Sequence, residues 1–240
     1  MATCILMRHL EIPFRAVTAE VWWKDGISGE NPYHYDFLHD KVTNALERWG
    51  VHHDFIRSDI TAYEYMTTPI QYSKDHPERV GTLRGFPLCG ACGIQRDCKS
   101  KPCSKYYREI TEPHNVIVGI ARNEEKREES NKRNNRISLL YLLGILKHEP
   151  FMICANEGLL SPTYSFSERG GCWFCPNQKI QEWEVLYREF PHLWNDLMEV
   201  QKMPNKCTEL VTRTKTLYDI EKEVLGGVQM KFFTGSLLGG

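Results

Sequence analysis

Arg169-Gly170-Gly171-Cys172-Trp173-Phe174-Cys175-Pro176-Asn177-Gln178 is the stretch around which this 240-residue chain is organised. Two glycines before the cysteines and a proline after them set a tight turn that aims both sulfurs at one point. A thiol pair at this spacing grips a metal or takes part in redox exchange. A second Cys-x-x-Cys stands at Cys89 and Cys92, and two such pairs in one chain point to a metal site. The candidate ligands are therefore Cys89, Cys92, Cys172 and Cys175. Cys98 and Cys103 are alternates in the same cysteine-dense segment, and whichever pair is left over is open to redox chemistry. Cys4, Cys154 and Cys207 are isolated and read as packing residues.

Nine cysteines, an odd number, argue for thiolates rather than a disulfide framework. The start, Met1 to His9, has no long apolar region or cleavage site of a signal peptide, so a cytoplasmic protein is expected. With 41% hydrophobic residues the chain can bury a sizeable core. Its 30 basic and 31 acidic residues give no global pull toward nucleic acid or an anionic membrane. No apolar run reaches the roughly 20 residues of a spanning helix, so no membrane partner is expected. Lys99, Lys101, Lys105 and Arg108 form a local basic run, either a nucleic-acid contact or a solvated face.

Outward from the cysteines, apolar spacing predicts a helix through Ile5, Leu6 and Leu10 that ends at Pro13. A strand over 14–20 and a turn-rich loop over 25–32 come next. A helix over 33–49 stops at Gly50, and a strand follows over 52–57. Short helices are expected over 62–67 and 104–110, with an irregular stretch over 69–87 between them. Residues 115–121 read as the best buried strand, ending in a charged loop from Arg122 to Arg127. Residues 137–145 are strand or helix, and 149–157 are helix with Gly158 as the stop. Beyond Pro176, Trp183, Leu186, Tyr187 and Phe190 mark an amphipathic helix, and Pro191 opens another. The aromatic residues Trp183, Tyr187, Phe190 and Trp194 read as core packing.

Alternation of helix and strand predicts an α/β protein with a doubly wound, mostly parallel sheet and a C-terminal helical region carrying the Cys172 motif. The expected division is a nucleotide-binding α/β part over 1–135 with a cysteine-rich insert at 86–108, a helical part over 136–223, and a loose tail over 224–240. These parts are expected to pack as one compact domain.

Gly171-Cys172-Trp173-Phe174-Cys175-Pro176, the run from Trp183 to Trp194, and Gly158-Leu159-Leu160-Ser161-Pro162 upstream resemble the phosphoadenosine phosphosulfate (PAPS) reductase family. The chain is most similar to the phage and mobile-element branch of that adenine nucleotide alpha-hydrolase-like superfamily. Ala16 to Glu20 is similar to the family's second strand, and Val118 to Ala121 with the loop after it to the fourth. The family's pyrophosphate loop, Ser-Gly-Gly-x-Asp-Ser, does not occur in the 240 residues. Met1 to Met7 resembles the helix that follows that loop, so the first strand and the loop are expected to have been cut off by a misplaced start.

The resemblance implies adenine nucleotide-dependent sulfur chemistry with ATP or PAPS as substrate. That chemistry is reduction of an adenylyl sulfate, or adenylation of a nucleic-acid or protein sulfur acceptor. It implies a four-iron, four-sulfur cluster on the cysteines, with zinc as the alternative. Glu20 would bind Mg²⁺ or a ribose hydroxyl, or be a solvated charge. Arg122, Lys126 and Arg127 would clamp phosphate or sulfate, or form a charged surface loop. No cysteine follows Val224, where PAPS-reducing members carry their nucleophile, so the catalytic residue is unknown. A homo-oligomer is compatible with the resemblance. A second reading is a catalytically inactive binding or accessory protein stabilised by metal.

Overall fold

The computed structural model describes residues 1–90, 92–168 and 170–235. Arg169 and residues 236–240 of the expected tail lie outside them. The order is α1 (Ala2–His9), β1 (Ala16–Glu20), β2 (Trp22–Lys24), β3 (Ile27–Ser28), α2 (Pro32–Asp36), a π-helical segment (Phe37–Val42), α3 (Thr43–Arg48), β4 (His53–Arg57) and α4 (Ala62–Thr67). A second π-helical segment (Gln95–Ser100) runs into α5 (Lys101–Glu109), followed by β5 (Val116–Val118), α6 (Glu125–Lys132), β6 (Arg136–Ser138), α7 (Leu139–Leu142) and α8 (Glu149–Asn156). The chain closes with α9 (Ile180–Glu189), α10 (Pro191–Lys202) and α11 (Leu217–Gly235).

The protein is mixed α/β, with short parallel pairs β1–β4 and β5–β6 and an antiparallel pair β2–β3. Two compact units interleave along the sequence. One comprises Met1–Ala19, Pro32–Ile56 and Ser100–Tyr164, and the other Glu20–Asn31, Arg57–Lys99 and Ser165–Gly240. The expected boundary at 135/136 is therefore not the one that packing draws.

In the first unit α1 packs on α8, burying Ala2 and Ile5 with Ala45, Cys154 and Leu159. A second cluster sets Ala16 of β1 against Phe37, Leu38, Val42 and Leu46. The helix expected over 33–49 thus forms, but its middle is wound as π-helix. The strand expected over 115–121 is paired only over Val116–Val118 and is half-buried there, while Ile120 and Ala121 beyond it are buried. α6 is polar all round and is held by hydrogen bonds rather than by an apolar stripe. Buried Asn131 donates to Ser138 Oγ at 2.7 Å, and Ser138 donates to buried Glu128, tying α6 to β6. Residues 137–145, open to either reading, supply the end of β6 and then α7.

The second unit has an aromatic core, in which Trp23, Trp173, Trp183, Phe86 and Phe174 are each 2% exposed or less. Burying each contributes roughly 1.5–3 kcal/mol. Trp194 meets Trp183 and Tyr187 edge to face, as the helical spacing predicts. α4 opens on a capping box: Thr61 Oγ1 accepts from Glu64 N and Glu64 Oε2 accepts from Thr61 N. α11 continues from Leu217 through Val224 to Gly235, and Leu217, Ile220 and Val224 recur along it at helical spacing and are buried.

Candidate functional site

The Cys172 turn is built on the β2–β3 hairpin of its own unit. Past β3 the chain forms an antiparallel bridge, Glu30 to Cys172, and Trp173 N donates to Gly29 O at 3.1 Å. Trp173 Nε1 also donates to Ser28 O at 2.8 Å. Gly29 has no room for a side chain, since a Cβ there would meet Val21 Cγ1 at 2.9 Å and Phe174 Cε1 at 3.1 Å. The two residues between the cysteines, Trp173 and Phe174, are the anchors of the turn. Both pack on Trp23, with ring centroids at 4.8 and 5.2 Å. Cys172 and Cys175 are half-buried beside that aromatic cluster, and Cys175 N donates to Cys172 O at 3.0 Å.

The upstream pair lies in the same unit. Cys89 Sγ donates to the carbonyl of Pro176, next to Cys175, at 3.3 Å. Cys92 Sγ accepts from Gln95 N at 3.4 Å and is close enough to Cys172 to influence its titration. The alternates are placed elsewhere. Cys98 is 1% exposed, points its thiol at Ile60 O and packs into the aromatic core. Cys103 lies on α5 in the other unit, where burial and the Cys103 thiol push the Tyr107 phenol up to about 12. All nine cysteines are free thiols. Cys154 is buried and Cys4 half-buried, in keeping with packing roles. Cys207 is not a packing residue: it is exposed and hydrogen-bonded to the Thr82 hydroxyl at 2.7 Å.

The second unit adds two charged residues that the sequence did not single out as a pair. Lys99 Nζ meets Glu30 Oε1 at 2.6 Å, and the Glu30 side chain is only 7% exposed. Burial works against the Lys99 ammonium, but Cys172, Glu30 and Cys175 outweigh it and raise its pKa. Burial also raises the Cys172 thiol strongly, and Lys99 offsets this only in part. A bare Cys172 thus stays a thiol, and a bound cation would supply the charge that removes its proton. Lys99 belongs to the basic run read as a possible nucleic-acid face, yet its charge is directed at Glu30. No sequence signal pairs Glu30 with it, because Glu30 sits in what reads as an ordinary turn.

Four soft thiols on turn segments of one unit suit zinc or an iron–sulfur cluster in donor chemistry. Among the described residues, however, no group of three or more His, Cys, Asp or Glu is arranged to hold a metal ion.

The residues expected to bind nucleotide are divided between the two units. Glu20 is 6% exposed at the end of β1 and falls in the second unit. Arg122, Lys126 and Arg127 are exposed in the first. Arg122 stacks on Tyr141 with its guanidinium 4.5 Å from the ring centre, and Arg127 pairs with Glu124 at 2.6 Å. The charged loop is short, because α6 begins within it at Glu125.

No family model, curated protein or solved structure matches the chain.

Proposed function

We propose that the chain is a PAPS reductase-like protein whose Cys89, Cys92, Cys172 and Cys175 hold an iron–sulfur cluster or zinc and which takes part in adenine nucleotide-dependent sulfur chemistry. The observation that carries this reading is the placement of those four cysteines. They lie in one unit, with Lys99 in electrostatic reach of Cys172 and Cys175, while the alternate Cys98 is turned into a core and Cys103 lies in the other unit. A bound iron–sulfur centre would supply electron or sulfur transfer, and zinc would supply structural closure. The chain's own residues would orient it: Trp173 and Phe174 fix the turn, and Lys99 balances thiolate charge.

On this reading the pairs β1–β4 and β5–β6 are parts of one doubly wound sheet. Both are parallel, and apart from the terminal Glu20 and Arg57 their strands belong to the first unit, which supports that architecture. Nucleotide would bind at the carboxyl end of β5, beside the Arg122–Arg127 loop of the same unit. The second reading, a metal-stabilised accessory protein without turnover, is favoured by one observation. Arg122 and Arg127 are engaged with Tyr141 and Glu124 rather than converging on an anion.

The test is iron, zinc and acid-labile sulfide content of protein purified without oxygen, for wild type and Cys172→Ser. About four irons with matching sulfide, lost in the variant, support the cluster. About one zinc without sulfide supports a closed site. Neither metal in a folded protein overturns the reading. Pyrophosphate release from ATP then separates enzyme from accessory protein.

A further inference from the structure

A cavity of about 330 Å³ opens in the second unit between the segment after Cys175 and the loop that precedes α11. Its size falls within the roughly 300–1,000 Å³ of small-molecule sites. Its lining joins an apolar part, Ile180, Trp183 and Ile220, to a polar part with Gln178, Arg213 and Thr214, and no carboxylate lines it. The loop carrying Arg213 is pre-formed. Val211 N and Thr212 N both donate to Lys215 O, at 2.9 and 3.2 Å, and Thr212 Oγ1 accepts from Lys215 N at 3.1 Å. Lys215 itself is neutralised by Glu223. Arg213 is exposed at the tip and pairs with no carboxylate among the described residues.

Two further lining residues carry unmade hydrogen bonds. Gln178 Oε1 and Trp183 Nε1 are buried without a partner, although Gln178 Nε2 is used on Cys172 O. Buried polar atoms are nearly always paired, so these two leave the wall under-satisfied, although neither atom is itself exposed to the cavity. An unneutralised guanidinium, a hydroxyl and an apolar wall in one concavity select an anion with a flat apolar body.

We propose that this cavity binds a small organic anion, its acidic group on Arg213 and Thr214 and its apolar body against Ile180, Trp183 and Ile220. The site goes beyond the metal reading and does not depend on it, though Cys89 also lines the cavity.

The experiment is calorimetric titration of the full chain with 2-naphthalenesulfonate, its uncharged analogue 2-naphthalenesulfonamide, and inorganic sulfate. Metal content is measured separately, so the two readings fail separately. The sulfonate is expected to bind saturably at one site. The sulfonamide and the Arg213→Gln variant should each bind at least about ten-fold more weakly, and inorganic sulfate should not displace the sulfonate at equal concentration. Lys222→Gln, an exposed charge on α11 outside the lining, should leave the affinity unchanged. Arg213 is exposed, so its variant should melt with the wild type. No saturable binding, equal affinity for the neutral analogue, unchanged affinity in Arg213→Gln, an equal loss in Lys222→Gln, or displacement by inorganic sulfate at equal concentration would each overturn the proposal.

Discussion

Lys99 Nζ lies 2.6 Å from Glu30 Oε1, and that ammonium is also in electrostatic reach of the Cys172 and Cys175 thiols. Removing the carboxylate strands a half-buried cation beside groups that are neutral while they stay protonated. Glu30→Gln should cost about 1–3 kcal/mol, as for a buried group deprived of its partner. Glu30→Gln with Lys99→Met should recover part of that loss. Urea midpoints of the three proteins check this, and a double variant less stable than Glu30→Gln would refute the coupling.

The six clustered cysteines divide by environment, and metal content should divide with them. Cys92→Ser is expected to lose the metal found in the wild type, whereas Cys98→Ser and Cys103→Ser should retain it. Cys98→Ser should lower stability, because its thiol is packed in the aromatic core. Elemental analysis of the three variants decides the matter. Metal lost from Cys98→Ser or Cys103→Ser in folded protein would reassign the ligands.

Gly85 and Gly144 both have positive φ, +72° and +74°, yet replacing them should differ in effect. A Cβ at Gly144 meets nothing within 4 Å, so Gly144→Ala should cost about 1–2 kcal/mol from backbone strain. At Gly85 it would fall 2.4 Å from the carbonyl oxygen of Thr208, and that loop would have to move. Gly85→Ala should therefore be the more damaging by at least about 1 kcal/mol, or roughly 2–4 °C in Tm. Thermal melts compare the two directly.

His53 predicts a pH dependence of the first unit. Burial lowers its pKa; His39 and His52 act in the same direction and Asp54 opposes them. Its Nε2 lies 2.9 Å from Thr18 Oγ1, Thr43 Oγ1 stands 3.5 Å from Nδ1, and its ring packs on Phe55. The folded state thus favours neutral His53. Its contribution to stability is present above the unfolded value near 6.5 and is lost as pH falls from there toward the lower folded value. His53→Gln should shrink the drop in urea midpoint between pH 7.5 and 5.5. An undiminished drop would assign the effect to other groups.

The long periodic helices were legible in the sequence because their apolar positions share one face, as with Trp183, Leu186 and Trp194. The β2–β3 hairpin was not, although Asp25-Gly26 is a hairpin-turn signal and Gly26 has φ +75°. Its strands are too short for alternation to register. The glycines after Leu225 masked α11, whose support comes from tertiary packing of Leu217, Ile220 and Val224. The two Cys-x-x-Cys pairs were readable from spacing. The choice against Cys98 and Cys103 was not, since it depends on which way a thiol faces and which unit holds it.

Each compact unit is assembled from three separated stretches of chain, so the polypeptide passes repeatedly from one to the other. A truncation that runs past Ala19 from one end or past Ser165 from the other therefore removes part of both, and neither can be produced alone by trimming an end. A protease nick between Ala19 and Glu20 or between Lys99 and Ser100 would leave fragments that hold together only through shared cores. Folding must close long loops in each unit before either core is complete, which favours slow, mutually dependent assembly over independent formation of halves.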